Sequence, residues 1–531
     1  MKRWTAALLV LLLCLASFTG CNSPKQTTAG QTTPPVTTPS VTTPPATTSP
    51  ATTPPATTPP VTTTPPVTTT PPATTTADSE GEEAEVDFWL NDVPLSDFTI
   101  VYSGTAPDYT LRAAKYLQQE IEARTGLRLA VKSDQNATAA LPHEIVVGET
   151  NRQISLDLDA KTEGFAFSLM ANDDHVALEG DYFLIAAAAY YFVESYIQAE
   201  PFSAEPPKVE TVCTPIVREA KNYFVLIGDG MGFNQTRLFD VYSAVEMKRY
   251  SDGESAFYGY SFPYQGKAKT DSLSGTTDSA ASGTALATGY KTINGYIGKD
   301  KNKNDVPSLT EMAIALGMAT AVMSTETITG ATPAAFSAHA NNRNNSDDIS
   351  ADQSAMSANY GTYFLGSYGA NYGKVNIVDQ VERDLWSVLD DLSEDEDGFF
   401  MMIEEAFIDK HSHSNELLNT FFATIRFNQI IGCVMEYAFY HPETFVLITA
   451  DHETGGLTKG EDGSYYYTTG DHTSADVPIF AYGVGAEVFD GVTIENIQIP
   501  KTIAAMWGID LEGYNDAEYP SLIPVGVDAG S

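Results

Sequence analysis

Three short apolar runs in this chain end on carboxylates, and that repetition constrains the fold more than any other feature. Asn222 to Ile227 (NYFVLI) runs into Gly228 and Asp229. Phe399 to Ile403 (FFMMI) runs into Glu404, with Asp409 and His413 close behind, and Thr444 to Thr449 (TFVLIT) runs into Asp451 and His452. Runs this apolar and β-rich read as strands. Open α/β sheets bind ligands outside the carboxyl ends of their strands, so the three ends are expected to converge on one crevice. The groups gathered there are what a cluster of divalent cations around a phosphate needs. The expected fold class is α/β, a mostly parallel central sheet flanked by helices, with a smaller α/β domain before it.

The chain begins with a segment of a different kind. Lys2 and Arg3, the apolar run Ala6 to Ala16 and small residues up to Gly20 form a signal peptide at 1–20, too short to be a stable span. Cys21 after Phe18, Thr19 and Gly20 resembles a bacterial lipobox, although Phe18 stands where Leu is usual. That implies a lipid on Cys21 and an extracytoplasmic protein anchored to the membrane or cell surface; ordinary cleavage is the alternative. Losing Lys2 and Arg3 moves the formal charge from −40 to −42. A surface so acidic repels nucleic acid and anionic membranes. Once Cys14 is removed and Cys21 acylated, Cys213 and Cys433 are left, and one conceivable bridge is not a disulfide framework.

Residues 21–85 hold no core. From Gln26 to Ala77 the chain carries no charged residue and repeats Thr-Thr-Pro-Pro units alternating with Ala or Val. Such composition favours an extended polyproline-like tether, of order 150 Å when stretched at about 3.1 Å per residue. An acidic patch (Asp78, Glu80, Glu82, Glu83, Glu85) closes it. Residues 86–215 then read as an accessory α/β unit: strand Phe98 to Tyr102, helix Tyr109 to Arg124 stopped by Gly126, strands Leu127 to Val131 and Glu144 to Gly148. A hairpin turning at Asn172 and Asp173 and a helix from Tyr182 to Ile197 complete it. The NDVPLSDFTIVYSG and EIVVGETNR segments resemble the noncatalytic N-terminal domain of many bacterial carbohydrate-active enzymes. That implies cell-wall or glycan contact, with a ligand-free spacer as the alternative.

The hydroxyl that could react is Ser279. It follows Asp278 at the start of an Ala-rich segment, so it is expected at a helix N-terminus, where dipole and free amides favour an alkoxide and a phosphate. Serine needs further activation by a base or a metal. No Ser-His-Asp arrangement is evident from the motifs, whereas metal-ligating residues abound; a lone serine here would read as a helix cap.

GDGMG (228–232), TDSAAS (277–282), TGATPAAFSAH followed by Arg343, EEAFIDKHSH (404–413) and ADHETGG (450–456) together resemble the bacterial alkaline phosphatases, over residues 218–531. The resemblance implies that family's sandwich fold, phosphomonoester substrates and a phosphoserine intermediate on Ser279. It implies that Arg343 clamps two phosphate oxygens and that Lys410 reaches phosphate through water. It also implies two Zn2+ and one Mg2+ per chain, and admits a homodimer. Asp409, His413 and His472 would hold one zinc and Asp229, Asp451 and His452 the second. Asp229, Thr332 and Glu404 would hold magnesium; mixed imidazole and carboxylate suits zinc, an all-oxygen set magnesium.

Two departures stand out. Gly330 lies two residues before Thr332, where the family has Asp or His, which removes a partner of the magnesium waters. Nineteen residues separate His452 from His472, fewer than in relatives with an insertion there, so the cleft is expected to be open. A sulfatase would need a modified Cys or Ser followed by Pro and Arg, which Ser279-Ala280-Ala281-Ser282 lacks. A phosphodiesterase of the same superfamily and a catalytically inactive glycan-binding surface module are the remaining alternatives.

Overall fold

The computed structural model describes residues 88–136, 139–158, 166–180, 183–213, 215–239, 257–370, 375–511 and 517–525, and over them the chain builds two main sheets in succession. The signal segment 1–20, Cys21, the Thr/Pro tether and the acidic patch lie outside the described residues.

The first sheet is made by β1 (Thr99–Tyr102), β2 (Ala130–Ser133), β3 (Glu144–Val147), β4 (Phe167–Ala171), β5 (His175–Gly180) and β6 (Glu210–Val212), in the order β2-β1-β3-β5-β4-β6. Its first four strands are mutually parallel and β4 is antiparallel to both neighbours. Helices α1 (Asp108–Thr125) and α2 (Leu184–Tyr196) cover it. Asn172 makes the β4–β5 hairpin turn itself, its Oδ1 accepting from Asp174 N at 3.0 Å and His175 N at 2.8 Å. Gly126 ends α1 in the left-handed conformation, φ 75°. One expected strand is displaced. Pairing begins not at Leu127 but at Ala130, opposite Thr99. The residues between turn the chain back from the helix, and the Leu129 carbonyl is taken by Gln118 Nε2 at 2.5 Å rather than by a neighbouring strand.

The second sheet has eight strands. They are β7 (Asn222–Gly228), β8 (Tyr264–Lys269), β9 (Ala319–Ser324), β10 (Tyr363–Leu365), β11 (Phe399–Glu405), β12 (Thr444–Thr449), β13 (Val477–Tyr482) and β14 (Thr493–Glu495), in the order β10-β9-β11-β7-β12-β13-β8-β14. The first five in that order are parallel, whereas β13 is antiparallel to β12 and β8. Every residue of β7, β11 and β12 is buried, as uninterrupted apolar runs require. Register aligns their ends: Ile227 lies opposite both Glu404 and Thr449, and Ser324 opposite Glu404. Asp229, Glu404 and Asp451 therefore leave the sheet at nearly one level.

The two sheets meet across α6, as numbered after α3 (Ser279–Thr288), α4 (Ala331–Ala335) and α5 (Phe407–His413); α6 spans Leu417–Tyr440. Tyr116 of α1 stacks on Tyr440 with ring centroids 4.4 Å apart, and Phe183 meets Phe439 at 5.7 Å. Arg112 grips Glu436 through Nε at 2.8 Å and Nη2 at 2.6 Å. Cys213 is exposed, Cys433 is buried in α6, and both are free. Among the described residues no helix is long and apolar enough to cross a membrane.

Candidate active site

Ser279 opens α3, with Asp278 as its N-cap: Asp278 Oδ1 accepts from Ala281 N at 2.9 Å and from Gly295 N at 3.1 Å. The second oxygen of Asp278 receives Arg343 Nη1 at 3.3 Å, so one carboxylate fixes both the serine's helix end and the guanidinium beside it. Arg343 keeps 36% of its side chain exposed, which leaves the rest of its donors free for an anion.

Behind Ser279, which is 3% exposed, lie two groups of donors. Asp229, Asp451 and His452 form one; Asp409, His413 and His472 form the other; within each the donor atoms lie within 4.8 Å of one another. The loop after β7 can approach so closely because Gly230 has φ 74° and no side chain; a Cβ there would lie 2.7 Å from Asp409 Cα. His472 is delivered by a two-residue ladder in which Thr454 pairs with His472 and Glu453 with Thr473.

Proton bookkeeping shows what these groups are built to hold. Thr454 Oγ1 donates its proton to Asp409 Oδ1 at 2.5 Å, so towards His452 Nδ1, 3.2 Å away, it acts as acceptor. That places the His452 proton on Nδ1 and leaves Nε2 bare. Yet Nε2 faces Asp451 Oδ2 at 3.1 Å, Asp229 Oδ1 at 3.6 Å and Ser279 Oγ at 3.2 Å. A Ser-His-Asp triad would put serine and carboxylate on opposite ring nitrogens. Here they crowd one nitrogen, which is a coordination sphere.

The second group repeats the pattern. His413 Nδ1 donates to Gly470 O at 2.6 Å and His472 Nδ1 to Thr277 O at 2.8 Å, which turns the two Nε2 atoms on each other at 3.0 Å. Asp409 Oδ1 lies 3.3 Å from the first and 3.4 Å from the second. Only a shared proton or a shared cation relieves two facing lone pairs. Carbonyl partners that fix the ring tautomer are the usual second layer of a metal site.

The third set is all oxygen. Thr332 Oγ1 and Glu404 Oε1 are buried without a hydrogen-bond partner, as are Asp229 Oδ1 and Asp451 Oδ2. Orphaned buried oxygens are costly unless something binds them, so the donor chemistry of all three sets fits divalent cations. Electrostatics agree. Burial, then Asp451, Asp409 and Glu404, push Asp229 well above the usual carboxylate range. Burial and the neighbouring Glu326 push Glu404 up to about 8. For Asp409 and Asp451 burial also favours the neutral acid, but positive charge on the adjacent imidazoles, which a bound cation would supply in the same place, outweighs it and both are lowered. Asp409 in turn outweighs burial at His472 and raises it.

Sequence reasoning missed Glu326, Thr454 and the carbonyls of Thr277 and Gly470. Lys410 is ion-paired with Glu326, whose backbone N–H donates to Ser324 Oγ at 3.1 Å, while Ser324 Oγ donates to Glu404. Glu326 had a faint signature, an acid two residues past the apolar stretch that ends at Ser324. His339, His411 and His441 lie elsewhere: His339 Nε2 sits 3.1 Å from Val306 O, His411 pairs with Glu416, and His441 stacks on Tyr437.

Residues 220–378 and 381–468 match the family model of alkaline phosphatases. Alkaline phosphatase 3 of Bacillus subtilis (strain 168) is 26% identical over 411 residues, covering 54% of this chain and 88% of that protein. Alkaline phosphatase 4 of the same organism is 30% identical over 298 residues, covering 46% of this chain and 64% of that protein. Among solved structures, the alkaline phosphatase of the Antarctic bacterium TAB5 superposes with a TM-score of 0.45 at 26% identity, over 55% of this chain and 98% of that one.

Proposed function

From the match of residues 220–378 and 381–468 to the alkaline phosphatase family model, we propose that this enzyme hydrolyses phosphate monoesters by transient phosphorylation of Ser279. Asp409, His413 and His472 would hold one zinc, Asp229, Asp451 and His452 a second, and Asp229, Thr332 and Glu404 a magnesium. When bound, such cations supply Lewis-acid stabilisation of attacking and leaving oxygens and ease deprotonation of serine and water.

The chain's own residues do the rest. Arg343, steadied by Asp278, receives two nonbridging oxygens of the phosphate in its planar fork. Lys410, held by Glu326, adds positive charge on the same side, and its pKa is raised because Glu326, Asp229 and Glu404 outweigh burial. The α3 amides and dipole favour negative charge at Ser279. Ser279 gives its proton to solvent, Oγ forms the bond to phosphorus as the ester P–O bond breaks, and the leaving alcohol takes a proton from solvent in turn. Water then attacks the phosphoserine, the Oγ–P bond breaks, Oγ regains a proton at the expense of the attacking water, and inorganic phosphate departs. Positioning and fixed charge carry the catalysis.

The observation that carries this reading is the ring of bare nitrogens and orphaned oxygens directly behind the serine that opens α3. Its test joins elemental analysis of the purified protein to turnover of a chromogenic monoester and the matching diester. Zinc in the protein and a faster monoester support it; a metal-free protein, or a faster diester, overturns it. Release at the cell surface, through a lipid on Cys21 and the tether, is part of the same proposal and rests on the N-terminal sequence. Radiolabelled fatty acid retained by the wild type and lost in Cys21→Ala would support it, and a soluble, unlabelled wild type would remove it.

A further inference from the structure

Around Gly330 the backbone would tolerate a side chain, since φ is −56° and ψ 160°. The space is nevertheless taken. A Cβ built there collides with Glu326 Oε1 and lies 2.8 Å from Glu326 Cδ, while its next neighbour, the Thr327 carbonyl oxygen, is 3.0 Å off and relieved by a small shift. The Glu326 carboxyl therefore occupies the space beside Gly330, and a side chain at 330 would have to displace the flexible end of Glu326.

That carboxyl stands between two neighbours of the oxygen set described above: Gly330, two residues before Thr332, and Lys410, next to Asp409. Its other oxygen pairs with Lys410 Nζ. Its backbone is tied through Ser324 Oγ to Glu404, and its charge bears directly on Glu404. Two buried polar atoms in the same place, Thr332 Oγ1 and Glu404 Oε1, have no hydrogen-bond partner. Asp229, Glu404 and Glu326 against Lys410 leave an excess of negative charge that a single divalent cation would cancel. A carboxylate serving only as a partner for Lys410 would gain nothing by lying beside Glu404, which it repels.

We propose that Glu326 is an additional acidic partner of the cation held by Asp229, Thr332 and Glu404, reaching the site from the loop after β9 through the space Gly330 leaves open. The inference rests on the functional reading above, because it needs that cation. It assigns a role to the pairing of glycine and acid: the carboxylate at 326 and the missing side chain at 330 are two halves of one arrangement, so their substitutions should be strongly non-additive.

The test uses the full chain, loaded with zinc and depleted of magnesium, titrated with magnesium and followed by calorimetry and by melting temperature. Glu326→Gln keeps shape and loses charge; it should keep its zinc and weaken magnesium binding by about tenfold or more. Gly330→Asp alone should also weaken it, because two carboxylates then compete for one volume. Glu326→Ala combined with Gly330→Asp should recover most of the wild-type affinity, a result that misfolding of either single variant cannot mimic. Wild-type affinity in Glu326→Gln, or a double variant no better than the worse single one, would overturn the role of Glu326 while leaving the phosphatase reading intact. A wild type that takes up neither zinc nor magnesium would overturn both.

Discussion

The two sheets of this protein both bury acids near their strand ends, and they treat them in opposite ways. In the first sheet the charges are matched: Arg152 grips Glu144 at 2.7 and 2.9 Å, Asp134 accepts from Gly104 N at 2.8 Å and Asn151 N at 3.1 Å, and Ser155 donates to Glu179 at 2.6 Å. In the second sheet Glu405 is matched by Arg426, but Asp229, Asp451 and Glu404 each keep an oxygen with no hydrogen-bond partner. Similar architecture thus yields a structural unit where the acids are satisfied and a site where they are not. Unmet hydrogen-bonding capacity, rather than the mere presence of carboxylates, marks where chemistry can happen.

The comparison breaks most visibly at Ser279. Ser279→Ala removes the hydroxyl that the unmatched side surrounds, and monoester turnover should fall by about 10³-fold or more while the fold and metal content persist. A loss of less than about tenfold, some 1.4 kcal/mol of barrier, would contradict covalent catalysis and with it the meaning given to the unmatched acids.

Opposite signs are expected when one charge is removed from each sheet. Arg152→Met leaves Glu144 buried without its cation, only the Leu141 N–H still donating to it, and should cost about 3 kcal/mol of stability, with kcat unchanged in what remains folded. Asp229→Asn removes a carboxylate that its neighbours repel; the metal-free protein should gain about 1–2 kcal/mol while losing metal. Urea midpoints of the two variants against wild type in chelator measure both. If Asp229→Asn destabilised the metal-free protein, the contrast between the sheets would be wrong.

How much of this contrast the sequence discloses follows from its physics. Strand ends are legible because an uninterrupted apolar run must be buried and must stop: Asp229, Glu404 and Asp451 stand where such runs end. Helix α1 is legible from its spacing and Gly126. The strand after it is misread by three residues, because Leu127, Leu129 and Val131 alternate like a strand whether or not their backbone finds a partner. Glu326 is illegible for another reason. Its partner is an absence at Gly330, and only in three dimensions does one residue's missing side chain become another's place.

Acid titration should separate the sheets again. Glu404 is pushed from 4.5 in its ordinary state to about 8 by burial and then by Glu326. Because the folded protein holds that proton more tightly than the unfolded chain, the metal-free protein is stabilised below about pH 4.5 and loses that contribution as pH rises towards 8. Bound cations remove the need for the proton, so the loaded protein should lack this decline. Melting temperatures from pH 5 to 8, with and without chelator, test it. Parallel profiles would mean that the acids are not competing for cations.

The smallest effect is expected where the sheets join. Arg112 of α1 holds Glu436 of α6 with two nitrogens and reaches Glu382 with the third at 3.0 Å, its guanidinium 5.4 Å from the Trp386 ring centre. Glu436 is 1% exposed, and burial raises its pKa despite Arg112. Arg112→Ala would strand that carboxylate, but a proton can neutralise it and the arginine is 31% exposed, so the cost should be about 1–2 kcal/mol. The sign with pH follows: without Arg112 the folded protein prefers protonated Glu436, so the variant should fall further behind wild type at pH 8 than at pH 5.5. Turnover should not change, because Glu436 lies in the last turns of α6 whereas the site flanks the first, where His413 precedes Leu417. A variant that lost activity in proportion to stability would make the first sheet a working part of the site instead of a neighbour to it.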